Sequence, residues 1–246
     1  MSGFPPHDLE CPDPESCTGA VEGLTSRAGS GTLPTVTVPQ DRRWFRVYDS
    51  VDGYALPNPG FGDTRFAPFD ALGSEMRVPT FYLAETLEAA LLESSLHSVA
   101  IQEPRVVDEV TLVGKLHAEV VPPHALTLVD LRDPSLLALG LTRDNLASSS
   151  PEHYPCTRRV ARAIHAGVGH VQGITWHSRQ AELTGRPPQE VAVVFADRVS
   201  ASRGAWRLAP RRTAVGSLLE GSGKLLLDDL AEKLDVTFET SSHLDE

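Results

Sequence analysis

The apolar run Trp44-Phe45-Arg46-Val47-Tyr48, interrupted by one charge, has high strand propensity, which predicts a first strand whose side chains alternate faces, with Trp44, Arg46 and Tyr48 on one of them. Gly53, Pro57, Pro59, Gly60 and Gly62 break the pattern around Asn58, so residues 52–63 read as an irregular loop that ends just before Arg65. A second strand is expected at 80–84. Thr86 then stands where it caps a helix with Glu88 in its first turn. Leu87, Ala90, Leu91 and Ser94 follow the i, i+3, i+4, i+7 spacing, and the helix is expected to run to about Val99. Further strands are predicted at 106–113, 116–121 and 125–131, a helix at 158–166, extended segments at 171–176 and 191–196, a helix at 225–234 and a last strand at 236–239. Strands and helices do not alternate as βαβ units. The expected class is therefore α+β, with an antiparallel or mixed sheet.

Composition changes this picture mainly at the N-terminus. Residues 1–40 are rich in Pro, Gly, Ser and Thr and carry Asp8, Glu10, Asp13, Glu15 and Glu22 against Arg27, with Phe4 the single aromatic. Such a segment has little apolar area to offset its ordering entropy, so it reads as a flexible acidic leader to a folded domain at 41–246. The chain of 246 residues has a formal charge of -11, which argues against direct nucleic-acid binding, because phosphate backbones are held by dense Lys/Arg surfaces. Cys11, Cys17 and Cys156 are odd in number and form no CxxC pair, and no basic n-region or long apolar run is present. A cytoplasmic protein is expected, with neither disulfides nor membrane contact.

Two features carry candidate chemistry. Glu93 has Ala89, Ala90, Leu96 and His97 as its helical neighbours, on a helix apolar on most sides. A carboxylate there is costly to desolvate, which makes it either a structural ion-pair partner or a catalytic group; spacing does not decide between them. Arg46 and Arg65 form the second. If close, their guanidiniums would repel unless an anion such as a diphosphate lay between them; otherwise each pairs with a carboxylate of its own. Weaker signals point away from other chemistries. Gly60-Phe61-Gly62 starts a GxGxxG pattern but lacks its third glycine and its strand and helix. His165, His170 and His177 have no metal-ligand spacing, so no metal is implied. Ser178 follows His177 without a GxSxG elbow. Arg198, Arg203, Arg207, Arg211 and Arg212 make a basic run, read as a solvated loop or a surface for an acidic partner.

Taken in order, Trp-Phe-Arg46, Gly-Asp-Thr-Arg65-Phe, Phe-Tyr82-Leu-Ala, Ala-Leu-Leu-Glu93 and Gly-Ile-Thr-Trp-His-Ser178-Arg resemble the RES domain family over about residues 42–200. The resemblance implies a compact ADP-ribosyltransferase-like α+β fold, with mixed or antiparallel sheets and flanking helices. It implies a toxin of a toxin-antitoxin system that consumes NAD, either as a glycohydrolase or phosphorylase that depletes the cell's NAD or as an ADP-ribosyltransferase acting on a protein. A catalytically silent binding protein with the same fold is the remaining alternative. By the same resemblance Arg46 and Arg65 hold the diphosphate, and Tyr82 stacks on the nicotinamide or ribose. Ser178 orients that ribose, and Glu93 stabilises the charge that develops as the glycosidic bond breaks. NAD is then the substrate, with water, inorganic phosphate or a target protein as acceptor. The implied partner is a small antitoxin with an Xre-like DNA-binding domain.

Overall fold

The computed structural model describes residues 20–97, 99, 104–143, 146, 151–182, 185, 187–199 and 205–239. Its strands are β1 (Thr35–Val38), β2 (Trp44–Asp49), β3 (Thr80–Ala84), β4 (Val106–Asp108), β5 (Lys115–Val121), β6 (Leu126–Asp130), β7 (Gly173–His177), β8 (Glu190–Phe195), β9 (Arg207–Leu208), β10 (Val215–Ser217) and β11 (Thr237–Glu239). The helices are α1 (Ala20–Ser30), α2 (Leu87–Leu92), α3 (Ser135–Ala138), α4 (Tyr154–Gly167), α5 (Arg179–Glu182) and α6 (Gly221–Leu234).

The main sheet runs β1-β6-β7-β8-β3-β2-β5-β10, with β9 also paired to β5. Its pairs are antiparallel except β6 with β7, and β4 pairs with β11 in a separate parallel ribbon. This is the expected α+β class with a mixed sheet. Strand β8 is buried throughout because its alternate side chains serve two cores. Val191, Val193 and Phe195 point toward the cluster under α2 and α4, with Leu91, Val160, Ile164 and Trp176. Ala192 and Val194 join Trp44, Phe81, Leu83, Val120 and Trp206 on the opposite side. Among the described residues no helix is long and apolar enough to cross a membrane.

One irregularity in the sheet positions everything that follows. Strand β2 pairs with β5 at six positions and β3 with β8 at five, yet β2 and β3 pair only at Phe45 and Ala84. Beyond that pair the two strands diverge.

Three expectations are corrected. The leader read over residues 1–40 is helix and strand from Ala20 onward. Val21, Leu24 and Ala28, spaced three and four apart, bury a narrow stripe of α1, which packs on α4. A Cβ on Gly167 would stand 2.5 Å from the Ala28 carbonyl oxygen, so glycine permits this close approach. Strand β1 adds four residues to the edge of β6. Residues 1–19, including Cys11 and Cys17, lie outside the described residues. Replacing Leu24, 1 % exposed, by Ala should destabilise the domain by about 2–5 kcal/mol. Chemical denaturation reads this, and an unchanged midpoint would return residues 20–30 to the status of a tail.

Helix α2 stops at Leu92 instead of running to Val99. Ser94 Oγ donates to Ala90 O at 2.5 Å, and the Leu96 N–H reaches back to Leu91 O at 2.9 Å, closing a wider turn. The strand expected at 106–113 ends at Asp108. There the side chain accepts from Val110 N at 3.0 Å and caps a 3-10 turn over Glu109–Leu112.

Candidate active site

Where β2 and β3 part, they leave a cavity of about 550 Å³ whose wall includes Arg46, Val47, Asn58, Thr64, Tyr82 and Glu93. Arg46, Tyr82 and Glu93 thus meet on the wall of one cavity. Arg65 and Ser178 stand behind Glu93.

Glu93 is delivered by the early end of α2. Thr86 starts that helix as expected, its Oγ1 accepting from Ala89 N at 3.1 Å, and Glu93 is the C-cap residue, its own N–H donating to Ala89 O at 2.9 Å. Ser178 Oγ donates to Glu93 Oε1 at 2.6 Å. The same oxygen accepts from Ala181 N at 3.1 Å, in α5. A hydroxyl has one proton, so with the Ala181 N–H on a lone pair that proton is committed to Glu93. Glu93 Oε2 takes no hydrogen bond from the described residues and remains for a ligand. Burial pushes the Glu93 carboxyl above the usual carboxylate range, while Arg65, the Ser178 hydrogen bond and His97 pull it back. Gln180 Nε2 holds the turn after Glu93 through His97 O at 2.8 Å.

The two arginines are not a pair. Arg65 donates from Nη1 to Leu146 O at 2.9 Å and lies over the Tyr154 ring at 5.1 Å. Burial lowers its pKa, and Glu93 is the strongest of the charges opposing that shift. Its place is therefore behind the carboxylate, as a buried counter-charge. Arg46 sits 6 % exposed between the Phe81 and Tyr48 rings, at 5.0 and 5.7 Å. Its Nη1 donates to Tyr54 O at 2.7 Å and Leu56 O at 2.9 Å, whereas Nε is shielded from solvent with no hydrogen-bond partner among the described residues. Burial lowers the guanidinium to about 10, against the field of Tyr48 and Asp52, so it is cationic at neutral pH. A buried, charged donor on a cavity wall with an unmet N–H is suited to an anion.

Tyr82 shares a 2.7 Å hydrogen bond with Thr64 Oγ1, and its oxygen accepts from Phe66 N at 3.2 Å. With the hydroxyl so engaged, what Tyr82 offers the cavity is its ring, which is braced edge-on by Trp176 with centroids 6.0 Å apart.

The loop between β2 and β3 supplies residues that the sequence pattern did not single out. Asn58 Oδ1 accepts from Gly60 N at 2.8 Å and Phe61 N at 2.7 Å, and its backbone bridges to Thr80. Gly60 takes φ +121, a region that favours glycine. Asp63 ion-pairs with the buried Arg158 of α4, latching the loop from below. Pro-Asn-Pro-Gly carried a readable Asx-turn signal for Asn58; nothing local marked Arg158.

The other candidates lie elsewhere. His165 Nε2 stands 2.9 Å from Asp197 Oδ2, His170 is exposed, and His177 is half-buried with burial, then Arg143, lowering its pKa. The basic run is divided. Arg198 donates to Val168 O at 2.8 Å and Arg211 pairs with the buried Glu119, while Arg207 and Arg212 are exposed and Arg203 is outside the described residues.

A carboxylate with a fixed proton donor, a buried arginine and an aromatic wall line one cavity of an α+β domain, set where its mixed sheet splits. The chain belongs to the RES domain family, whose model matches residues 36–209. All five residues discussed above lie within that span. No curated protein matches the chain significantly. Among solved structures, a chain of the M. tuberculosis MbcT-MbcA toxin-antitoxin complex superposes with a TM-score of 0.52 at 17% identity, covering 84% of this chain and 96% of that one. The likeness is one of fold.

Proposed function

We propose that this protein cleaves the bond between nicotinamide and ribose in NAD, as a glycohydrolase or phosphorylase, and acts as a toxin by depleting NAD. The observation that carries the proposal is the half-buried Glu93 carboxylate, held by Ser178 at 2.6 Å and facing the cavity that also holds Arg46 and Tyr82. As the bond from ribose C1′ to the ring nitrogen breaks, its electron pair neutralises the pyridinium, so the leaving group needs no acid. The positive charge passes to the ribose. Ionised Glu93 stabilises that charge, and C1′ is bonded either by a water oxygen, whose proton passes to solvent, or by an anionic phosphate oxygen, which needs to lose none.

In this reading the cationic Arg46 guanidinium holds the diphosphate from the cavity wall, and the Tyr82 ring walls the nicotinamide or its ribose. Ser178 acts on the ribose through the carboxylate it orients, and Arg65 offsets part of the burial that favours the protonated form of Glu93. Family membership supports the reading, and a small Xre-like antitoxin that occludes the cleft is the proposed partner. Incubating the purified full chain with NAD, with and without inorganic phosphate, tests it by chromatography of free nicotinamide. Phosphate-dependent release is expected of a phosphorylase and phosphate-independent release of a hydrolase. Transfer of label from NAD to an added protein without free turnover would favour the ADP-ribosyltransferase reading, and intact NAD throughout would overturn all of these.

A further inference from the structure

The cavity extends past Arg46 to the end of β2, where its wall includes Asp49, Asp52, Thr111 and Lys115. Asp49 is three residues beyond Arg46, roughly 10 Å along the strand. Two constraints fix this end. Asp49 and Lys115 are ladder partners across β2 and β5, with Nζ and Oδ2 2.8 Å apart. A tight turn follows, in which the Asp52 and Gly53 N–H groups donate to Asp49 O at 3.0 and 3.3 Å, and Asp49 and Asp52 both line the cavity. Asp52 is also one of the charges felt by the Arg46 guanidinium, so this end and the anion-holding arginine are adjoining parts of one cavity.

Two carboxylates against one ammonium leave this end with a net charge of minus one at neutral pH. Ionised carboxylates only accept hydrogen bonds, and a ribose cis-diol offers two O–H donors. A phosphate on the 2′-oxygen removes one of those donors and brings up to two negative charges. Lys115 does not supply an open counter-charge, because Asp49 already holds it.

Resting on the dinucleotide reading above, we propose that Asp49, Asp52 and Lys115 form the subsite for the ribose at the adenosine end, and that this subsite rejects a 2′-phosphate, so that the protein takes NAD and not its 2′-phosphorylated form. The two aspartates accept from the 2′- and 3′-hydroxyls. Lys115 positions Asp49 and tempers the repulsion between the carboxylates. The selectivity concerns the ribose at the adenosine end and not the bond that breaks, so it is read in binding.

The test is calorimetric titration of the full chain with ADP-ribose and with 2′-phospho-ADP-ribose, which reads the subsite without turnover. The parent should bind ADP-ribose at least about tenfold more tightly, the size expected of one lost hydrogen bond plus like-charge repulsion. In the Asp49→Asn/Asp52→Asn double variant that preference should shrink severalfold or more, chiefly because the phosphorylated ligand gains as Lys115 is released. Asp52→Asn alone, on the exposed turn, should move the same way by less and serves where the double variant does not fold. Equal affinities in the parent, or an unchanged preference in the variants, overturn this assignment while leaving NAD cleavage standing. Binding of neither ligand overturns both.

Discussion

Glu93→Gln should lower nicotinamide release from NAD by roughly a hundred- to a thousandfold, mostly in kcat, because the lost charge is one that acts on the transition state. The amide keeps the shape of the side chain and an oxygen to accept from Ser178. The fold should not suffer, and the sign of the pKa shift says why. Burial raises the Glu93 carboxyl above its unfolded value, so protonation is favoured by folding, and stability is lost as pH rises from the ordinary carboxylate value through the raised one. Wherever the group is ionised its burial opposes folding, and the glutamine variant should melt at the same temperature as the parent or higher. Activity in the parent should rise with pH through that raised value and lose this limb in the variant. Arg65→Met should move the limb to higher pH by removing the largest charge that offsets burial; a change confined to KM would make Arg65 a phosphate ligand instead. Unimpaired turnover in Glu93→Gln would remove this residue from the chemistry.

The second large effect belongs to Arg46. Arg46→Ala should weaken ADP-ribose binding by about ten- to a hundredfold, the range expected for a charge-assisted hydrogen bond to phosphate. Its Nη1 also holds the Tyr54 and Leu56 carbonyls, so the alanine variant should melt lower as well. Arg46→Lys separates the two roles. A lysine keeps the charge without the fork, so it should recover part of the affinity that the alanine variant loses. Calorimetry and a thermal melt of both variants read these effects. Parental affinity in Arg46→Ala would show that the anion is held elsewhere.

The parts of this molecule that could be read from the sequence are those governed by local pattern. Trp44, Arg46 and Tyr48 share the buried face of β2 because a strand alternates, and Thr86 caps α2 because its side chain needs only a neighbouring N–H. Helix α1 was hidden by averaging, for three apolar residues in a Gly- and Ser-rich stretch satisfy a helix once α4 supplies the opposing surface. The block containing Arg65 placed that residue near the site and its chemistry near the phosphates. Only the packing of α4 and Tyr154 behind the loop shows that its guanidinium turns inward to Leu146 and Glu93. Ser178 was likewise legible as a member of the set, but not as a cap of α5, and that capping bond is what fixes the direction of its proton.

The single pairing between β2 and β3 divides the sheet into two hydrogen-bonded halves, β1-β6-β7-β8-β3 and β2-β5-β10, that meet at a seam. Backbone amides along such a seam exchange with solvent through a smaller opening than those inside either half. A ligand lodged between Arg46 on one half and Tyr82 and Glu93 on the other takes over the fastening that the missing ladder does not provide.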